Sequence, residues 1–285
     1  MRCAACDLVY QHPTPSAATL AAAYDPDYIP HAPPTPPPAL NLLRRLRLAS
    51  RLGYPFPVSP VLRWLARWAL PARGRTPPWV PGGTLLDVGC GSGSYLLAMQ
   101  NLGWQVLGVE PSERAVTHAR AAGLTVWATT LEESPLSPSS IDVITFWHVG
   151  EHLPNPLATT RHARKLLRSG GRLIVEVPNA ESMQARVFRK YWFHLDQPRH
   201  LTMWSPQTLS DLLRQAGFER VTLVSVGDRK GWWISLANAL TASRRPGAPA
   251  ERQAGRWLVG LTPFLAWAEA LSGHGAFLRA TAIKT

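Results

Sequence analysis

Ten residues constrain this chain more than any others: Thr84–Gly93 read T-L-L-D-V-G-C-G-S-G and run at once into the apolar stretch Tyr95–Leu102. A short apolar run, a glycine cluster and a helical apolar pattern predict a buried strand, a tight turn and a helix start. Asp87 closes the strand, and Gly89, Gly91 and Gly93 let the backbone turn sharply and approach a ligand where a Cβ would intrude. From Gly82 onward, strand and helix patterns alternate, which predicts an α/β fold with a doubly wound sheet. Strands are expected near 84–88, 105–109, 124–128, 141–147, 171–177, 220–226 and 276–283. Helices are expected near 94–102, 112–121, 157–168 and 206–216.

The turn is unsuited to two common ligands. A dinucleotide fingerprint needs G-x-G-x-x-G, but the third glycine comes one residue early and position 94 is serine. A P-loop ends in Gly-Lys-Ser/Thr, and no lysine lies nearby. An acid just before the glycines suits a cationic group, and Glu110, ending the apolar run Val106–Val109, suits ribose hydroxyls. S-adenosylmethionine has a cationic amino-acid end and a ribose, and no phosphate.

Asp87-Val-Gly-Cys-Gly-Ser-Gly93 together with Glu110 resembles the first two motifs of class I S-adenosylmethionine-dependent methyltransferases. The resemblance continues through Leu131-Glu132-Glu133, Ile141–Ile144, Phe146–Pro156 and Gly170–Asn179, covering roughly residues 82–226. It implies a Rossmann-like seven-stranded sheet whose last strand is antiparallel, with S-adenosyl-L-methionine as cofactor. Carried over to this sequence, it implies that Asp87, Gly89, Cys90, Gly91 and Gly93 meet the amino-acid end of the cofactor and Glu110 the ribose. Pro111 and Leu131 would pack on adenine, with Trp147 and His148 beside the methionine moiety. Cys90 reads as a small packing residue rather than a nucleophile.

The 285 residues have a formal net charge of +12, yet only four of the basic residues are lysines: Lys165, Lys190, Lys230 and Lys284. No basic stripe interleaves with a stacking platform, so no nucleic-acid partner is expected. The start Met1-Arg2-Cys3 lacks the apolar region of a secretory signal, and no apolar run reaches about 18 residues. The expected location is the cytoplasm, with room for peripheral contact at the inner face of the membrane. Three cysteines make no disulfide framework.

Residues 1–39 read as an N-terminal segment with a proline-rich linker over Tyr24–Pro38. Cys3 and Cys6 have the spacing of half a zinc site, and the segment resembles the second half of a small zinc-binding element found before some bacterial methyltransferases. A closed structural site needs four ligands; His12 and His31 are the only nearby additions, so no metal ligand is assigned and a frayed start is expected. Residues 40–80 form a basic amphipathic cap of two helical stretches, Leu40–Leu52 and Val61–Leu70. The second gathers Val61, Leu62, Leu65 and Trp68 on one face, which suits a cofactor cleft more often than a membrane surface. The methyltransferase core is expected over 81–226 and 275–285. Residues 227–274 form a tryptophan-rich helical insertion with Trp232, Trp233, Trp257 and Trp267, broken by Pro246, Pro249 and Pro263.

Two histidine clusters fall where the methyl acceptor should sit. The first, Phe146-Trp147-His148-Val-Gly-Glu151-His152, lies at the end of the fourth core strand and resembles the Glu-His step of ubiquinone-type O-methyltransferases. In those proteins an acidic and histidine cluster can bind a metal; here His148 replaces an acid. The second, Trp192–Leu201, holds His194, Asp196, Arg199 and His200 in an aromatic frame. Catalytic candidates are therefore His148, Glu151, His152, His194 and His200, with Arg199 orienting an anionic acceptor; loop-anchoring hydrogen bonds are the competing role for these side chains. The resulting expectation is an enzyme of the methyltransferase class (EC 2.1.1.-), O-directed, acting on a small-molecule, glycan or lipid-linked hydroxyl. The alternatives are a non-catalytic, membrane-associated S-adenosylmethionine-binding protein and an NAD-dependent oxidoreductase.

Overall fold

The computed structural model describes residues 1–24, 32–69, 74–241 and 256–285. His31, Pro246 and Pro249, singled out above, lie outside the described residues. The described chain opens with strand β1 (Val9–Tyr10) and helices α1 (Ala17–Ala23), α2 (Leu42–Leu52) and α3 (Pro60–Ala69). Alternation then follows: β2 (Thr84–Val88), α4 (Ser94–Gln100), β3 (Gln105–Val109), α5 (Glu113–Ala121), β4 (Thr125–Trp127), β5 (Ile141–Trp147), α6 (Pro156–Leu166) and β6 (Leu167–Pro178). After β6 come α7 (Met183–Phe188), β7 (Thr202–Met203), α8 (Pro206–Gln215) and β8 (Arg220–Val226). Two helices, α9 (Arg229–Thr241) and α10 (Arg256–Leu271), precede the last strand, β9 (Phe277–Ile283).

Seven of these strands form one sheet in the order β4-β3-β2-β5-β6-β9-β8. The inner pairs from β4 to β6 are parallel, and β9 runs antiparallel to both β6 and β8. β2 is buried on both faces after its first residue, as a central parallel strand covered by helices must be. β9 alternates instead, half-buried and buried by turns. Helix starts follow their caps: Ser112 Oγ accepts from Ala115 N, and Ser205 forms a reciprocal capping box with Thr208 ahead of Pro206. The predicted strands at 84–88, 105–109, 141–147 and 220–226 are observed with those bounds.

β2 pairs with β3 on one side and β5 on the other. The chain order reverses here, and the crevice at the carboxyl ends of β2 and β5 is where an open α/β sheet binds ligand. The register places Asp87 beside Thr145, Trp147 beside Glu176, and Glu176 beside Arg279. Four consecutive strands thus aim side chains at one edge.

The first ten residues are not frayed. β1 pairs antiparallel with β7, Val9 opposite Met203, and Gln11 N donates to Leu201 O. Beyond the segment left undescribed, residues 32–41 have no regular structure, as a proline-rich stretch should, but Thr35 N donates to Ser94 Oγ at the start of α4. This linker therefore touches the glycine turn. α2 sits in the core beside that turn, burying Leu48 and Ala49 with Tyr54 and Trp104.

Candidate active site

The glycine turn is held mainly by backbone. Gly89 N donates to Val109 O at 2.8 Å and Gly93 N to Cys90 O at 3.0 Å, so the turn is stitched to β3 and to itself. Gly89 and Gly93 have φ of +65° and +88°. A Cβ on Gly93 would lie 2.3 Å from Leu124 Cδ1, and one on Gly89 would lie 2.6 Å from Val149 Cγ2. Both positions are closed to larger residues by conformation and by packing. Cys90 is buried with its sulfur against Gly108, and burial, with Asp87 and Glu110 nearby, pushes its thiol pKa far up. That environment suits packing, not nucleophilic attack.

Glu110 Oε2 accepts from Gly91 N at 3.0 Å and Oε1 from Ser112 N at 2.9 Å. The acid expected at a ribose thus closes the turn through main-chain amides. Asp87 is fully enclosed; burial raises its pKa to about 7, against the opposing hydrogen bond from Thr145 Oγ1 at 2.6 Å. Leu131 packs in the main core with Val109 and Phe146, and Pro111 is exposed. Trp147 stands edge-on to Tyr95, with the guanidiniums of Arg75 and Arg279 5.2 and 5.4 Å from its ring centroid.

Beside it lies the first histidine cluster. His148 adopts φ +58°, an uncommon conformation for a non-glycine residue at a strand end. Its Nδ1 is 3.5 Å from Glu151 and its Nε2 is 3.4 Å from Glu176, while Arg75 Nη2 approaches Nε2 to 2.5 Å. Burial opposes a charge on the ring, but the two carboxylates outweigh it and raise the pKa to about 9. The contact with Arg75 is a hydrogen bond only if Nε2 accepts. Arg75 therefore competes with the charged form of His148 that the two carboxylates favour. Glu176 lies between Arg75 and Arg279; burial disfavours its charge, yet His148 and the two guanidiniums lower its pKa to about 2.

The second cluster folds onto the first. Glu151 O accepts from both Leu201 N and Thr202 N, and the rings of His152 and His200 meet edge-to-face at 4.8 Å. His200 Nδ1 is 2.8 Å from His194 O, so it donates there and leaves the Nε2 lone pair free. His152 Nδ1 is likewise 3.0 Å from Arg199 O. Burial, with His152 beside it, keeps the His200 pKa below the usual histidine value although Glu151 and Asp196 pull it up. Glu151 is completely buried and neither carboxylate oxygen has a hydrogen-bond partner. Burial opposes its charge, but His148, His152 and His200 around it lower its pKa.

Glu151, His152 and His200 each present a ligand atom within 4.8 Å of the other two. The orphaned buried carboxylate and two imidazoles anchored through Nδ1 fit a divalent cation. The sequence reading assigns no metal ligand here, since His148 stands in place of an acid; His200, remote in sequence, is delivered by the fold. Cys3 and Cys6 are free thiols and, among the described residues, belong to no group of three or more metal ligands.

Arg199 is not available to an anionic acceptor as expected: it donates to both Asp196 oxygens, at 2.9 and 2.5 Å, and to Ala23 O. His194 is drawn toward the helical insertion. Its Nε2 lies 3.0 Å from Asp228 Oδ2 at the start of α9, and Phe277 stands edge-on between His194 and His148, 4.6 and 4.7 Å from their rings. Behind Asp228, buried Glu269 of α10 accepts from Asp228 N, Gln184 Nε2 and Trp232 Nε1; burial raises its pKa to about 7 against those bonds. A cleft of about 510 Å³ opens between the N-terminal segment and the second cluster, lined by Gln11, His12, Leu195, Pro198, His200 and Met203.

Five functional-looking residues escape sequence reasoning: Arg75, Glu176, Arg279, Asp228 and Glu269. The only local signal was for Glu176, a charge inside the apolar run Leu173–Val177.

Residues 61–223 match the family profile described as a methyltransferase domain. A ubiquinone biosynthesis O-methyltransferase from Cereibacter sphaeroides is 33% identical over 187 residues, covering 57% of this chain and 73% of the relative. One of the same name from Ruegeria pomeroyi is 34% identical over 192 residues, with the same coverage of 57% and 73%. Among solved structures, an S-adenosylmethionine-dependent methyltransferase from Thermotoga maritima superposes with a TM-score of 0.50 at 23% identity, over 72% of this chain and 84% of that one. Its likeness shows the fold. The family match over more than half of the chain, the two relatives and a seven-stranded sheet with a glycine turn at its switch point agree, and the chain belongs to the class I S-adenosylmethionine-dependent methyltransferases.

Proposed function

We propose that the protein transfers a methyl group from S-adenosylmethionine to a hydroxyl of a small-molecule, glycan or lipid-linked acceptor, with His200 as general base. The observation that supports this reading most is the state of His200: buried and neutral, Nδ1 anchored on a carbonyl, Nε2 free beside an ionised carboxylate. Bound S-adenosylmethionine supplies a methyl already activated by its sulfonium. The glycine turn and Glu110 hold the donor, and the cleft beside His200 receives the acceptor, so that the two meet at near-attack distance. As the acceptor oxygen bonds to the methyl carbon and the carbon–sulfur bond breaks, Nε2 of His200 takes the hydroxyl proton. Glu151, 3.9 Å away, stabilises the imidazolium that results.

The trio Glu151, His152 and His200 supports a second reading, in which these residues hold a divalent cation that lowers the pKa of the acceptor hydroxyl. By the name of the relatives, a hydroxyl on the way to ubiquinone is the first acceptor to try. The methyltransferase family gives the oxidoreductase alternative no support. The cytoplasm, including the inner membrane face, is the proposed location.

The test is release of S-adenosylhomocysteine over a panel of phenolic, glycan and lipid-linked hydroxyls. His200→Ala is expected to lower turnover about 10²–10⁴-fold while leaving donor affinity unchanged. Turnover that survives the substitution refutes the role of His200, and turnover on amines alone refutes O-transfer. Chelation followed by cation add-back separates base from ligand, since only the second reading predicts loss and recovery.

A further inference from the structure

Helix α3 is turned the wrong way for a soluble protein. At 100° per residue, Trp64, Trp68, Val61, Leu65 and Leu62 occupy one continuous arc, with Ala66, Arg63 and Arg67 on the other side. A surface helix ordinarily presses such an arc into the core. Here Ala66 is the one buried residue of the helix, which leans on α2, while Val61, Trp64 and Trp68 are 67%, 62% and 75% exposed. Leu42 and Leu43, in the first turn of α2, are exposed as well. So many large apolar side chains on one short helical hairpin exceed the scattered exposure of an ordinary surface.

The charge around this face identifies its occupant. Residues 40–80 contain eight arginines and no aspartate or glutamate. Arg45, Arg63 and Arg67 are exposed, and among the described residues none of the three forms an ion pair. A symmetric contact with a second copy would set like charges against like around the same patch. An anionic bilayer offers hydrocarbon to the tryptophans and leucines and phosphate to the arginines together.

We propose that the exposed face of α3, with the first turn of α2, docks on an anionic lipid bilayer. This rests on the proposed membrane-side location and not on the identity of the acceptor. Docking also has a place to act. Arg75, which reaches Glu176 and His148, follows Ala69 by six residues, so its backbone lies within about 20 Å of the end of α3. The hairpin would hold the active-site mouth near the lipid surface.

The experiment is flotation of the full chain with vesicles of phosphatidylcholine alone or mixed with phosphatidylglycerol. S-adenosylmethionine affinity by calorimetry and molar mass by light scattering are measured on every sample. The expected result is flotation only with the mixed vesicles, weakened by salt. Both Trp64→Ser/Trp68→Ser and Arg63→Glu/Arg67→Glu should lower it about tenfold or more with donor affinity unchanged. Failure of the natural protein to float overturns the proposal, as does undiminished flotation of either variant with intact donor binding. A dimer that the tryptophan substitutions dissociate would assign the face to a second copy instead and equally overturn it. Because the arginine pair lies on the surface, that variant keeps the test valid if the tryptophan variant fails to fold. Loss of donor binding in the natural protein would count against the methyltransferase mechanism without touching the docking result.

Discussion

The two halves of the candidate site are built from different materials. On the donor side, Gly89, Cys90 and Gly93 are positioned by main-chain bonds to Val109 and Cys90, and Glu110 itself binds main-chain amides. On the acceptor side, His148, Glu151, Glu176, Arg75 and Arg279 hold one another by charge, and His194 is held by a contact with Asp228. A backbone cradle tolerates changes of charge but not of shape. A charged cage tolerates small changes of shape but depends on every partner and on the protons it holds.

The contrast can be broken most directly at two glycines of similar conformation. Gly93→Ala introduces both a left-handed penalty and a Cβ 2.3 Å from Leu124, whereas Gly123, at φ +80°, has nothing within 4 Å of an added Cβ. Denaturant unfolding should show a loss of about 3 kcal/mol for Gly93→Ala and about 1 kcal/mol for Gly123→Ala. Equal losses would mean that steric closure of the turn contributes nothing.

Next in size is the charged cage. Arg279→Met leaves buried Glu176 with Arg75 and His148 only and should cost about 2 kcal/mol near neutral pH. The sign with pH follows from the carboxylate. Its folded pKa of about 2 lies below the unfolded value of about 4.3, so its stabilisation is present above about pH 4.3 and is lost as pH falls toward 2. Wild type and variant should therefore converge in acid, and a constant gap across that range would argue against the ion pairs.

The smallest effect belongs to His200. Because its folded pKa is below that of an unfolded histidine, the unfolded chain takes up the proton first, and stability should begin to fall below about pH 6.5. His200→Gln should flatten that limb in thermal unfolding followed across pH. An unchanged profile would place the acid sensitivity elsewhere.

This division also explains what could be read in the chain. β2, the glycine turn and Glu110 occupy fewer than thirty consecutive residues and rely on local rules of periodicity and turn chemistry, so their strand bounds were legible to the residue. The two histidine clusters were visible as clusters, since polar side chains in an aromatic frame stand out. Their roles were not, because each depends on a residue distant in sequence. His148 reads differently once Arg75 approaches it, Arg199 is engaged by Asp196 and Ala23, and His194 meets Asp228 across 34 positions. The tryptophan-rich insertion gave its helices by pattern, yet its use of Trp232 to donate to Glu269 appears only in three dimensions.

The pairing of Val9–Tyr10 with Thr202–Met203 joins segments more than 190 positions apart. As the chain emerges from the ribosome, everything the donor cradle requires, through β5, is available long before the N-terminal segment can meet its partner. Closing so long a loop is slow, and it comes after local elements have formed. The wall of the cleft beside His200 is thus among the last pieces to assemble, held by a two-residue ladder. A fusion or deletion at the first residues would consequently be felt at the acceptor, far along the chain, while the donor pocket formed as before.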